Sequence, residues 1–358
     1  MPNQEKKQQG LMKIIKAIHN FTVNDDLEKY RRSQANLGRL LGTKQSEASY
    51  TEFLIDDIPS EWIRLNRPHQ NETIILYCHG GGFFTGSLEY SRTLTTKLAS
   101  ASSSDILSFN YRLAPEHPSP AALEDALKVW GYLMHLGYGA KNVILAGDSA
   151  GGNLALSLAL KLKEDGRILP KALVLFSPWT DLTLSGASHE KKAALDPILT
   201  KDYLERARCA YVPESNSDAS IYADPFVSPL YGDYTGFPPV YIQVGTNEIL
   251  LNDSTDLHKK LLRQDVAAKL TIYKGMWHVF QMSNMKTPLT KPHSFYSAYN
   301  VHLLWDLLPV PDQNYIFQKQ AETGHITNDR QRDRFKFYRL PSAGHFIFHK
   351  AICCNTLS

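Results

Sequence analysis

Cysteine is scarce in this chain, with four in 358 residues: Cys78, Cys209, Cys353 and Cys354. Their spacing outlines neither a disulfide framework nor a metal site, so a reducing compartment is expected and no metal or other cofactor. No run of eighteen apolar residues occurs, and stable membrane insertion is therefore not expected. The segment 1–10 lacks the apolar core and cleavage site of a signal peptide, which makes the cytoplasm the expected location. Charge of one sign is missing too. Lys and Arg number 39 against 36 Asp and Glu, a formal net charge of +3. The basic residues are dispersed and outline no nucleic-acid groove. Even the densest basic run, Asp329-Arg330-Gln331-Arg332-Asp333-Arg334, is broken by acids and reads as solvated surface. Internal repeats and low-complexity tracts are absent. What the chain does have is apolar residues, 43% of the total, enough to bury a large core.

Near the N-terminus, Leu11, Ile14, Ile15, Ile18 and Phe21 follow the spacing of an amphipathic helix. Its polar face is not strongly basic, which favours packing on the protein's own body over a membrane surface. Strand-like segments follow at 52–58, 62–66, 73–78 and 105–109. Helical and strand-like pieces then alternate: 121–136, 143–146, 154–163, 172–176, 240–244, 255–263 and 269–273. Such alternation predicts an α/β protein with a mostly parallel central sheet covered by helices on both faces. Between 177 and 239 the pattern loosens, and helical pieces around 199–211 look like an insertion above the strand ends.

The stretch Gly147-Asp148-Ser149-Ala150-Gly151-Gly152-Asn153 lies between the strand-like 143–146 and the helical 154–163. A Gly-x-Ser-x-Gly in that position is the nucleophile elbow of an α/β-hydrolase, with Ser149 on a sharp turn and small residues on both sides. A serine hydroxyl is barely nucleophilic at neutral pH, so a general base and an orienting acid are required. In this fold the chain order is serine, acid, histidine. Among thirteen histidines, His278 fits best, on the loop Gly275-Met276-Trp277-His278-Val279-Phe280 after the last strand-like run. His189 falls in the insertion and His258 in a helix too soon after the acid loop. His293, His302, His325, His345 and His349 fall in the terminal helix or tail. For the acid, Glu248 lies four residues past the strand 240–244, where a loop residue can turn to the histidine. Asp253 is the alternative, at a position expected to cap the next helix. The glycines of His79-Gly80-Gly81-Gly82 directly follow strand 73–78. There the N–H groups of Gly81 and Gly82 could join that of Ala150 to form an oxyanion hole.

Together these residues resemble the hormone-sensitive lipase family of esterases, the bacterial family IV. The matching motifs are His79-Gly80-Gly81-Gly82, Tyr111-Arg112-Leu113-Ala114-Pro115-Glu116, Gly147-Asp148-Ser149-Ala150-Gly151-Gly152, Asp224-Pro225-Phe226-Val227-Ser228-Pro229-Leu230 and the His278 loop. The resemblance spans approximately 20–308. It implies an α/β-hydrolase fold with a helical cap built from the N-terminus and an insertion after the sixth strand. It also implies hydrolysis of short- to medium-chain carboxylic esters of small molecules without a cofactor, and a supporting role for His79. Family members often dimerise, so a homodimer is compatible with it. The expected organisation is an N-terminal cap segment (1–50), a catalytic domain (51–308, cap insertion about 180–223) and a C-terminal extension (309–358). Two departures stand out. The family's acid motif Asp-x-Leu-x-Asp reads Glu248-Ile249-Leu250-Leu251-Asn252, and Asn110 replaces an aspartate before Tyr111. Arg112 and Glu116 are expected to fix the loop beneath the site, and Asp148 to be structural. Trp179, Tyr203 and Phe21 are aromatics that could wall a substrate pocket or simply pack. The same triad would serve an amidase or deacetylase on aryl acetamides, or a lipase acting at an interface. A receptor on the same fold would lack the catalytic histidine.

Overall fold

The computed structural model describes residues 27–29, 31–32, 48–69, 72–212 and 219–282. The N-terminal amphipathic segment with Phe21, the extension 309–358 with Cys353 and Cys354, and the histidines from His293 onward lie outside them.

Among the described residues the sheet begins with a hairpin. Strand β1 (Ala48–Ile55) pairs antiparallel with β2 (Ile58–Leu65) around Asp56, which adopts φ 51°. This corrects the sequence reading, whose segment 52–58 runs through the turn: the apolar Ile55 and Ile58 that flank it look continuous until paired. Strand β2 also pairs antiparallel with β4 (Asp105–Phe109). From there every pairing is parallel, through β3 (Ile74–Cys78), β5 (Val143–Asp148), β6 (Ala172–Phe176), β7 (Val240–Gly245) and β8 (Ala268–Tyr273). The eight strands run in the order β1-β2-β4-β3-β5-β6-β7-β8. Strands β3, β5, β6 and β7 are buried at every position, as strands covered on both faces must be.

Alternation along these strands feeds two cores. Ile74, Leu76 and Cys78 of β3 pack with α2 (Ala121–His135), α3 (Ala150–Glu164) and α6 (Leu251–Arg263), while Ile75 and Tyr77 pack with α1 (Leu88–Ser102). Helix α1 went unrecognised in the sequence because Ser and Thr fill it, residues whose hydroxyls compete with helical backbone bonds. Here those hydroxyls fold back onto the helix's own carbonyls, Thr95 onto Ser91 at 3.1 Å and Ser102 onto Leu98 at 2.7 Å. Asn110, one of the two departures, accepts the Leu88 N–H at 2.8 Å and so helps start the helix. The loosened segment after β6 holds α4 (Ser188–Lys191), α5 (Lys201–Tyr211) and two 3-10 turns, Ala219–Ala223 and Pro229–Tyr231. No helix among the described residues is long and apolar enough to cross a membrane.

Candidate active site

Ser149 occupies the one-residue turn between β5 and α3, at φ 54° and ψ −122°. A non-glycine residue rarely adopts this conformation, and it persists because both sides of the residue are tied down. Its N–H donates to Phe176 O at 2.9 Å, and its carbonyl accepts from Gly152 N at 3.0 Å and Trp179 N at 3.0 Å. The elbow also presses on its neighbour. A Cβ on Gly151 would lie 2.1 Å from Cys78 O and 2.4 Å from His79 O. Only a glycine lets the first turn of α3 approach the end of β3 so closely.

That approach sets Ala150, the first residue of α3, beside the His79–Gly82 loop. Gly81 takes φ 117°, and its carbonyl is held by Thr85 N and Thr85 Oγ1 at 2.9 and 2.8 Å. Among the described residues, no hydrogen bond to the protein uses the N–H of Gly81, Gly82 or Ala150. Asp148 secures the loop from below. Its Oδ1 accepts from Tyr77 OH at 2.5 Å and from Gly80 N at 3.0 Å. Burial pushes this carboxyl up to about 6, against the hydrogen bond from Tyr77. His79 stacks on Tyr111 with ring centroids 4.2 Å apart, and Tyr111 OH donates to His79 O at 2.9 Å. Burial lowers His79 to about 4, so its ring stays neutral at physiological pH.

The other half of the site hangs from β7 and β8. His278 Nδ1 lies 3.1 Å from Glu248 Oε2, with His278 6% exposed and Glu248 fully buried. Glu248 Oε1 accepts from Ser177 Oγ at 2.9 Å and from the Gly245 N–H. Ser177 Oγ in turn accepts from Val279 N at 3.2 Å, so one hydroxyl bridges the acid loop and the histidine loop. Ser177 follows Phe176, the residue that holds the Ser149 N–H, and this joins the two halves through the end of β6. Burial would lower the pKa of His278, but the Glu248 hydrogen bond and charge, with further negative charge from Asp196 and Asp148, leave it above its ordinary 6.5. Among the described residues no hydrogen bond joins the Ser149 hydroxyl to His278, a looseness common before substrate binds.

Asp253, the alternative acid, is turned elsewhere. It lies inside the first turn of α6 rather than at its N-cap, which is Leu250. Its Oδ1 accepts from Thr180 N at 2.8 Å and Asp181 N at 3.0 Å, and its Oδ2 lies 3.3 Å from His189 Nε2. Arg112 and Glu116 do not pair with each other. Arg112 binds Asp125 and Glu124, whereas Glu116 binds Arg31, which also donates to Phe84 O and Ala114 O. The sequence pointed to none of Ser177, Asp196 or Arg31, because each acts through a contact distant in sequence. Trp179 is fully buried. Tyr203 packs on Phe84 at 5.3 Å between ring centroids and, with Tyr211 stacked on Phe83 at 3.8 Å, seats α5 over the glycine loop. Among the described residues no group of three or more His, Cys, Asp or Glu side chains is arranged to hold a metal ion.

Comparison with known proteins places the fold. A family model described as alpha/beta hydrolase fold matches residues 75–282. An esterase of Acinetobacter venetianus is 40% identical over 218 residues, covering 61% of this chain and 71% of that protein. An acetyl-hydrolase of Streptomyces hygroscopicus is 37% identical over 274 residues, covering 75% and 88%. The crystal structure of a hormone-sensitive lipase from a metagenome library superposes with a TM-score of 0.75 at 33% identity, over 82% of this chain and 96% of that one. With the family model matching 75–282 and this superposition at 33% identity, the chain belongs to the α/β-hydrolase fold family and, within it, to the hormone-sensitive lipase family.

Proposed function

We propose that the protein is a carboxylic ester hydrolase acting on short- to medium-chain acyl esters through Ser149, His278 and Glu248. The observation that carries this reading is the 3.1 Å contact between His278 Nδ1 and Glu248 Oε2, at the same sheet end as a serine held at φ 54°. With Nδ1–H donated to the carboxylate, Nε2 is left to take the Ser149 proton. Ser149 Oγ attacks the ester carbonyl, and the developing oxyanion is received by the N–H groups of Gly81, Gly82 and Ala150. Each such donor is worth about 2.7–4 kcal/mol of transition-state stabilisation. His278 then protonates the leaving alcohol, and water activated by the same ring clears the acyl-enzyme. In this reading the N-terminal segment and the 177–239 connection form a cap that shapes the substrate pocket. Relatives named esterase and acetyl-hydrolase support the reaction class.

The test is hydrolysis of p-nitrophenyl esters from acetate to palmitate by the wild type and Ser149→Ala. Activity on the shorter chains that disappears in a folded Ser149→Ala is expected. Activity retained in that variant would sink the mechanism. A second reading on the same triad is an amidase or deacetylase acting on aryl acetamides; the name acetyl-hydrolase of one relative fits an acetyl group on either an ester or an amide. Rates on phenyl acetate and acetanilide separate the two.

A further inference from the structure

Asp196 belongs to the β6–β7 connection, between α4 and α5, and is 1% exposed. Its Oδ1 accepts from Ile198 N at 2.9 Å and Leu199 N at 3.0 Å, closing the turn that leads into α5. Its Oδ2 leaves that segment and accepts from Ile249 N at 2.9 Å. Ile249 directly follows Glu248. The carbonyl of Ile249 is taken by Ser188 Oγ at 2.6 Å, and the same hydroxyl accepts from Asn252 N at 3.0 Å. The backbone of the acid loop is therefore gripped at both the N–H and the C=O of Ile249, each time from the connection. The charged groups facing Asp196 are His278 and Glu248, and those facing His278 are Glu248, Asp196 and Asp148. The negative charge of two buried carboxylates thus acts on the ring in addition to that of Glu248, and of the two only Asp196 belongs to the connection.

We propose that Asp196 is a positioning residue for the ester hydrolysis: it clasps the β6–β7 connection to the loop carrying Glu248 and adds its negative charge to those of Glu248 and Asp148 acting on His278, so the charge balance at the base depends on that connection being seated. This rests on the assignment of Ser149, His278 and Glu248 given above. Burial holds the Asp196 carboxyl up at about 6, so both clasp and charge weaken together in mild acid.

The test is the pH profile of kcat/KM for p-nitrophenyl acetate, with thermal melts, in Asp196→Asn. With one amide oxygen on the turn, the amide N–H₂ is left against the Ile249 N–H and the clasp opens. The acid limb is expected to move down by about 0.5–1 unit, less than the 1–3 units of a direct ion pair, and kcat to fall roughly tenfold with KM little changed. Asp181→Asn is the comparison. Asp181 is a buried carboxylate of the same connection whose oxygens are held within it by Thr183, Ser185 and Tyr231, and its loss should leave the limb in place. An unmoved limb in folded Asp196→Asn overturns the proposal even if kcat falls, because a purely structural loss would do the same. Should Asp196→Asn not fold, Asp196→Ser removes the charge and keeps an acceptor for the turn. The same shift is then expected, and an unmoved limb again refutes it. Activity surviving in Ser149→Ala would instead remove the assignment on which the proposal stands.

Discussion

Replacing Gly151 with alanine tests the elbow's packing more sharply than removing a reacting group. The added Cβ would sit 2.1 Å from Cys78 O and 2.4 Å from His79 O, both backbone atoms that no rotamer change can move aside. Carbon–oxygen contacts normally begin near 3.3 Å, so the first turn of α3 must back away from the β3 end by about 1 Å. That gap separates Ser149 and the Ala150 N–H on one side from the Gly81–Gly82 loop on the other. A 1 Å misplacement of reacting groups costs about 100-fold in rate, or about 2.7 kcal/mol of barrier. Gly131, inside α2, provides the contrast, since nothing lies within 4 Å of its added Cβ. Gly131→Ala should leave kcat alone and raise stability by about 0.5–1 kcal/mol, roughly 1 °C in melting temperature for a chain of this size. The assay is kcat for p-nitrophenyl acetate alongside thermal unfolding of both variants. A soluble, folded Gly151→Ala with kcat within about threefold of wild type would refute the claim that this contact sets the catalytic geometry.

Two further outcomes follow from the acid and the base. Glu248→Gln should lower kcat by about 100- to 10,000-fold, since it loses the acceptor that fixes the His278 tautomer, whereas Asp253→Asn should lower the melting temperature and change kcat less than about tenfold; steady-state kinetics and melts of both variants decide, and the reverse ranking would give the role to Asp253. In the wild type, kcat/KM should rise with pH through a value above 6.5, because only the neutral ring can act as base and burial is outweighed by Glu248 and its acidic neighbours. The sign for stability is opposite. A raised histidine pKa contributes stability fully below the unfolded value near 6.5 and loses it as pH rises through the folded one. Melts across that window should show it, and an acid limb at or below 6.5 would contradict the arrangement.

The fold was legible wherever burial was uniform. The apolar runs of β3, β5, β6 and β7 admit no other assignment once helices alternate with them, and β4 and β6 begin and end at the expected residues. Where hydroxyl-rich sequence forms a helix, as in α1, pattern fails, since what holds it is the burial of Leu94, Leu98 and Ala99 on the sheet, the Ser87 N-cap and Asn110 from outside. Helices α3 and α6 both begin four residues before the point that apolar spacing marks, because their first turns are polar or glycine-rich and serve the site rather than the core. Ser149, His278 and Glu248 stand out as candidates because each directly follows or closely trails a recognisable strand. Asp196 and Ser177 could not. Their importance lies in a hydrogen bond to a loop 53 and 71 residues away, respectively, and no local spacing encodes that.

The sheet order has a consequence for how such a protein can diversify. Ser149 leaves the end of β5 and His278 follows β8, three strand steps away, about 14 Å at the usual interstrand spacing. The two intervening strands therefore have to lend residues to the gap, and they do so through Ser177 after β6 and Glu248 after β7. A connection as long as 177–239 can be lengthened, shortened or rebuilt in evolution without altering that spacing, because its two ends are fixed in the ladder. The freedom is partial. In this chain the connection meets Ile249 at two points, an acceptor from Asp196 and a hydroxyl from Ser188, and a rebuilt segment would have to replace both contacts to hold the acid loop as it is held here.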